Sequence, residues 1–146
     1  MTSNTKTAII FGLAVFGVVI DRLAKALVLH GVSLNTFFPV ISFRLHLNPY
    51  LAFSLPLPSL ISAVTIALII IVMILLMLRA IKKNQSIVAL VFFIVILGAC
   101  SNLYDRLIYG GVIDYCNVFN INVFNLADVM ILCGIIGLAS MKFNDT

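Results

Sequence analysis

The sequence predicts an all-α membrane protein: four transmembrane helices with a small extracytoplasmic β-element. Composition points there first, because a chain that is 63% hydrophobic and 10% charged, with mean hydropathy +1.23, matches lipid-embedded and not soluble proteins. Apolar runs give the count. Crossing hydrocarbon takes roughly 20 residues, and candidate runs occur at Thr7–Leu29, Ser59–Leu78, Ser86 to about Leu103 and Leu126–Met141, the last being the shortest. An alternating polar–apolar stretch between the first two runs supplies the β-element. No repeat, low-complexity tract or linker interrupts residues 1–146, which read as a single domain.

The first run is too long and too uniformly apolar for a signal-peptide core, and no small-residue cleavage pattern follows it, so it is expected as a span of the mature chain. It carries Asp21-Arg22-Leu23-Ala24-Lys25 and continues helically to His30. Asp21 and Lys25 stand at i, i+4 with the acid N-terminal, the favourable order for a helical pair. In apolar surroundings such a pair reads as an orienting device.

Next comes Ser42-Phe43-Arg44-Leu45-His46-Leu47-Asn48. Period two places Phe43, Leu45 and Leu47 on one face and Ser42, Arg44, His46 and Asn48 on the other. That pattern suits a strand lying apolar side down on the membrane surface, bracketed by Pro39, Pro56 and Pro58.

The third run closes in Asn102-x-x-Asp105-Arg106, a spacing that shares one helical face. Its plain structural reading is an ion pair at the rim of a helix end. Gly110-Gly111 permits a reversal that returns Asp114 toward the membrane among Val112, Ile113 and Tyr115. From Tyr115 to Phe124, Asn117, Asn120 and Asn122 interleave with apolar residues, as either a short hairpin or an irregular flap. Asn125-Leu126-Ala127-Asp128 then opens the last run with a good N-cap and a capping-box-like acid.

Charge placement orients the chain. Lys6, Arg79, Lys82, Lys83 and Lys142 fall on one side, against Arg44 and Arg106 on the other, so the positive-inside rule puts both termini in the cytoplasm. Asp21, Asp105, Asp114 and Asp128 then all lie toward the outer face, and Asp145 in the tail is the last of the five acidic residues. Each carboxylate near hydrocarbon costs about 2.5–3.5 kcal/mol on insertion scales, so four together point to one site.

Several chemistries are excluded. The net charge of +4 is loop-located with no basic stripe, which marks topology and not nucleic acid. Cys100, Cys116 and Cys133 show no C-x-x-C spacing and read as small packing residues. His30 and His46 are the only histidines, no Ser/His/Asp set or H-E-x-x-H pattern appears, and no basic phosphate cradle accompanies a possible Mg²⁺ site, so no cofactor or metal is expected.

Paired carboxylates remain. A helix N-terminus favours the ionised form of Asp128, whereas apolar neighbours favour protonated Asp114. Brought close, the two would share one proton, which is the apparatus for amide hydrolysis: one activates water, and the other protonates the carbonyl oxygen and later the departing nitrogen.

Together these residues resemble the lipoprotein signal peptidases (signal peptidase II), four-span aspartyl peptidases of the bacterial cytoplasmic membrane. The similarity covers essentially the whole chain in five ordered blocks. These are Asp21 and Lys25 in a D-x-x-[ST]-K-like element, Asn48 to Ser54 in an N-x-G-x-A-F-S-like element, and Asn102-x-x-Asp105-Arg106 in a G-N-x-x-D-R-like element. Val112 to Tyr115 form a V-x-D-F-like element, and Phe124 to Asp128 an F-N-x-A-D-like element.

The resemblance implies that Asp114 and Asp128 are the catalytic dyad, that Asn48, Asn102, Arg106 and Asn125 line the site, and that Asp21, Lys25 and Asp105 support it. It implies as substrate a prolipoprotein signal peptide whose cysteine carries diacylglycerol, cut just before that cysteine among membrane lipids. The chain departs from the pattern at Ala24, at Tyr50 and Ser101 where glycine is usual, and at Leu97 in place of one of two paired glycines. Tyr50 is expected to be the most disruptive of these. The rival readings are a catalytically impaired relative that binds lipidated peptides, and a proton- or cation-coupled membrane carrier.

Overall fold

A computed structural model of the chain describes residues 3–35, 41–50, 59–119 and 122–141. Along these run α1 (Ser3–Leu29), β1 (Leu34–Asn35), β2 (Ile41–Asn48), α2 (Ser59–Lys82), α3 (Ser86–Tyr109), β3 (Val112–Val118), β4 (Asn122–Phe124) and α4 (Leu126–Ser140). Pro39, Pro56, Pro58, Ala52-Phe53-Ser54, Asn120, Ile121, Lys142 and Asp145 lie outside the described residues, as does the side chain of Lys6.

Helices α1, α2 and α3 are long and apolar enough to cross a membrane, and α4 is a shorter apolar helix of 15 residues. Their outward surfaces are dominated by apolar side chains, with Leu13 62% and Leu60 75% exposed, while Asp21, Lys25, Asn102 and Asp105 turn inward. This is a multi-pass membrane architecture, since the lipid solvates the apolar exterior. Helix α3 sits centrally, packed on α1, α2 and α4, and α4 also lies on α1.

Glycine sets the closeness of α3 and α4. A Cβ on Gly98 would lie 2.7 Å from the Ala127 carbonyl oxygen, and one on Gly134 would collide with Val95.

Two helices outrun their expected ends. Helix α2 continues through Arg79 to Lys82, and α3 passes Leu103 to reach Tyr109. The polar residues of α3 do not end the helix, because each finds an internal partner. Gly110 ends it, with φ 74° and its N–H donated to the Arg106 carbonyl, a left-handed cap that glycine adopts without a Cβ penalty.

The strands form one antiparallel sheet in the order β1-β2-β3-β4, and the stretch after Tyr115 is a hairpin. The expected alternation along β2 is broken. Phe43 pairs with Cys116 and His46 with Asp114, so β2 carries an extra residue between them. Phe43 therefore faces the same side as Cys116, whereas Leu47 pairs with Ile113 on the opposite side. Leu45 and Leu47 are exposed while Phe43 is half-buried against the Val28, Ile113 and Tyr115 cluster. That cluster seats the sheet on the ends of α1 and α4. The bulge's consequence is that Asn48, opposite Val112, lies on the same face as Asp114.

Candidate active site

Five elements converge where α1, α3 and α4 meet the sheet. Asn125 supplies the local framework: its side chain accepts from the Asp128 N–H at 2.9 Å, while Asp128 Oδ2 accepts from the Asn125 N–H at 3.2 Å. This is a reciprocal capping box, which fixes Asp128 at the third position of α4.

With its carbonyl oxygen engaged, the Asn125 amide nitrogen faces the other way. It donates to Asp114 Oδ1 at 2.7 Å, to Asn102 Oδ1 at 3.2 Å and to the Ile113 carbonyl at 3.3 Å. Both carboxylates thus rest on one asparagine. Asn48 Nδ2 donates to Asp114 Oδ2 at 3.2 Å, and Asn102 Nδ2 to Asp128 Oδ1 at 2.7 Å. The sheet places Asp114 at 1% exposure, whereas Asp128 is half-buried.

Burial pushes the Asp114 carboxyl up to about 7, and the nearby charge of Asp128 adds to the rise. Hydrogen bonds from Asn48 and Asn125 and the charge of Lys25 work against it without cancelling it.

Beneath this pair lies a second cluster in which Asp21, Lys25 and Asp105 are all fully buried. Lys25 Nζ stands 2.9 Å from Asp21 Oδ2 and 2.7 Å from Asp105 Oδ2, and Arg22 Nη1 is 2.5 Å from Asp105 Oδ1. The expected pairing of Asp21 with Lys25 is present. The rim ion pair between Asp105 and Arg106 is not: Asp105 turns to α1, and Arg106 donates to the carbonyls of Tyr50 at 2.7 Å and Pro49 at 3.5 Å. Successive helical residues point about 100° apart, so adjacent charges need not meet.

Lys25 Nζ also donates to Asn102 Oδ1 at 3.0 Å, which fixes the asparagine with its NH₂ toward Asp128. Asn102 is therefore the joint between the two clusters.

Tyr50 occupies no left-handed position, because among the described non-glycine residues only Asn84 and Phe119 have positive φ. Its ring is exposed and its backbone serves the site: its N–H donates to Asn48 Oδ1 at 3.1 Å, and its carbonyl takes Arg106. The expected disruption does not arise in the backbone.

Every site residue anticipated from the sequence enters this network. Sequence reasoning missed Arg22, Ser101 and Tyr115 as participants. For Arg22 a signal existed, since a cation beside a buried acid in an apolar helix normally faces a partner. Burial raises the Tyr115 hydroxyl's affinity for its proton, and the charge of Asp21 adds to this, so it stays a donor. The cysteines are free, with Cys100 and Cys133 exposed on their helices and Cys116 half-buried.

Known proteins resemble this chain along most of its length. The model of the family described as signal peptidase (SPase) II matches residues 13–143. A lipoprotein signal peptidase of Moorella thermoacetica is 32% identical over 85% of each chain. One of Bartonella henselae is 33% identical, covering 94% of this chain and 90% of the relative. A solved structure described as a bacterial membrane enzyme superposes with TM-score 0.72 at 20% identity, over 97% of this chain and 92% of the other, which speaks to the fold.

Proposed function

The chain belongs to the signal peptidase II family, and we propose that it is an aspartyl endopeptidase that removes signal peptides from diacylglyceryl-modified prolipoproteins, cutting before the lipidated cysteine. It is a peptidase of a multi-pass membrane type, and we place it in the bacterial cytoplasmic membrane with both termini inside and the dyad toward the outer face. The observation that carries the aspartyl mechanism is the seating of Asp114 and Asp128 on Asn125, one carboxyl buried and titrating near 7.

In this reading the pair holds one proton, resting on Asp114. Asp128 removes a proton from a water molecule as its oxygen attacks the scissile carbonyl carbon, and Asp114 protonates the carbonyl oxygen. When the intermediate collapses, that oxygen returns its proton to Asp114, and Asp128 passes the water proton to the departing nitrogen. The pair is then restored. Asn48, Asn102 and Asn125 keep both carboxyl groups oriented, and Arg106 braces the backbone after Asn48, the segment that carries one of the Asp114 donors. A site among membrane-spanning helices is one that the apolar helix of a signal peptide and a lipid chain would reach through the bilayer.

The test is cleavage of a diacylglyceryl-modified precursor by the purified protein. Asp114→Asn and Asp128→Asn are expected to remain inserted and to lose at least about a thousandfold in rate. Undiminished cleavage by either variant refutes the dyad. A wild-type protein that holds the precursor without cutting it would instead be a binding relative, and gradient-dependent uptake of a cation would mark a carrier.

A further inference from the structure

Among the described residues, Asp21 is the one carboxylate with partners on four elements, α1, α3, β3 and α4. Its Oδ2 accepts from Lys25 Nζ at 2.9 Å and from the Ser101 hydroxyl at 2.6 Å. Its Oδ1 accepts from the Tyr115 hydroxyl at 3.1 Å and from the Ala127 N–H at 3.2 Å. Four donors fill the lone-pair sites of a fully buried carboxylate.

The identity of the donors matters more than their number. Ser101 precedes Asn102, Tyr115 follows Asp114, and Ala127 precedes Asp128. Each is the immediate chain neighbour of a residue in the upper cluster, and the three lie on α3, β3 and α4 respectively.

The first turn of α4 repeats the pattern. A helix start leaves its first N–H groups without helical partners. Here the Leu126 N–H goes to the Tyr115 hydroxyl at 2.9 Å, that of Ala127 to Asp21, and that of Asp128 to Asn125 Oδ1. Tyr115 therefore both donates to Asp21 and accepts from α4, and its ring is held against Phe43 at 5.4 Å between centroids. The Ser101 hydroxyl is equally placed at a junction, within 3.4 Å of Lys25 Nζ and 3.5 Å of Arg22 Nη1.

We infer that Ser101 and Tyr115 are positioning residues for the peptidase reaction, whose hydroxyls use Asp21 as a common anchor to hold Asn102, Asp114 and Asp128 in mutual register. The inference rests on the aspartyl-peptidase reading above and adds two residues to it. Neither touches the reacting atoms. Each hydroxyl, once removed, releases the backbone beside a site residue while leaving apolar packing in place, so the effect falls on alignment and not on substrate affinity. Misalignment of that kind reduces turnover steeply.

The experiment compares steady-state cleavage of a diacylglyceryl-modified precursor by wild type, Ser101→Ala, Tyr115→Phe, the double variant and Ser101→Thr. All are normalised to folded protein by their melting transitions in detergent. Each single hydroxyl loss is expected to lower kcat about tenfold with KM within about twofold, and Ser101→Thr to retain most of wild-type kcat. Because both act through Asp21, the double variant should lose less than the product of the singles. Unchanged kcat per folded molecule in both single variants overturns the inference, and so does a loss expressed only in KM. A wild type that does not cleave overturns the peptidase reading with it, whereas a cleaving wild type beside unaffected variants overturns this inference alone.

Discussion

Replacing Asp114 with Asn should abolish turnover and yet stabilise the protein at alkaline pH. A carboxyl pushed up to about 7 in the folded chain, against an ordinary aspartate value of 3.8, costs about 4 kcal/mol to ionise in place. The sign follows from proton binding. Between those values the native state holds a proton that the unfolded chain has released, so this contribution to stability is full below 3.8. It is lost as pH rises through about 7. Asparagine never ionises, but it brings a fixed cost. Asn48 and Asn125 both donate to Asp114, so one of them would face an amide NH₂, a loss of about 1–3 kcal/mol at every pH. The variant should therefore be less stable than wild type near pH 4. Its relative stability should climb by about 4 kcal/mol across the window, ending about 1–3 kcal/mol ahead near pH 8.5. In the shared-proton reading proposed above, the midpoint belongs to the pair. Denaturant or thermal unfolding in detergent at a series of pH values measures the difference directly. A stability difference that stays flat from pH 4 to 8.5 would show that Asp114 is not the strained group and would remove the basis for its carrying the shared proton.

Lys25→Met should remove the cation that pairs directly with both Asp21 and Asp105. It leaves Arg22 as the remaining ion-pair partner of Asp105, at a cost of about 3–5 kcal/mol, seen as a collapse in the yield of monodisperse inserted protein. Gly98→Ala should force α4 away from α3, because its Cβ would lie 2.7 Å from the Ala127 oxygen and 3.0 Å from Ile131 Cγ1. A melting shift equivalent to about 1–3 kcal/mol should accompany a fall in kcat, since Ala127 adjoins Asp128.

What could be read from the sequence follows physical range. Apolar runs report a solvent, the bilayer, and so α1 to α4 were legible without any partner being known. The capping box of Asn125 and Asp128 and the pairing of Asp21 with Lys25 are contacts within one helical turn, and both stand as expected. Contacts between distant segments were not legible. Nothing in Ser42–Asn48 marks the extra residue after Phe43, which exists only in register with β3. The apolar run of α3 stops near Leu103 while the helix reaches Tyr109, and what holds Asn102, Asp105 and Arg106 inside it is distant in sequence: Lys25, Arg22 and the Tyr50 carbonyl. Ser101 offered no chemical signal at all, because a serine in an apolar helix gains meaning only from the carboxylate opposite it.

The charges themselves argue for one shared proton. In the lower cluster Asp21 and Asp105 are matched in number by Lys25 and Arg22, two acidic side chains against two basic ones. In the upper layer Asp114 and Asp128 have Arg106 of α3 beside them, and the charge of Lys25, already matched in the lower cluster, also reaches both. Two ionised carboxylates there would leave one uncompensated negative charge in a poorly solvated site, and two protonated ones would leave a buried guanidinium unmatched. A single proton between them closes the balance. The lower layer, held by its own ion pairs, acts as a fixed electrostatic floor. Asn102 transmits it, with its carbonyl committed to Lys25 and its amide thereby aimed at Asp128. In the aspartyl reading proposed above the upper layer is the one that moves a proton, and this difference between the layers is what hydrolysis by two aspartates would use.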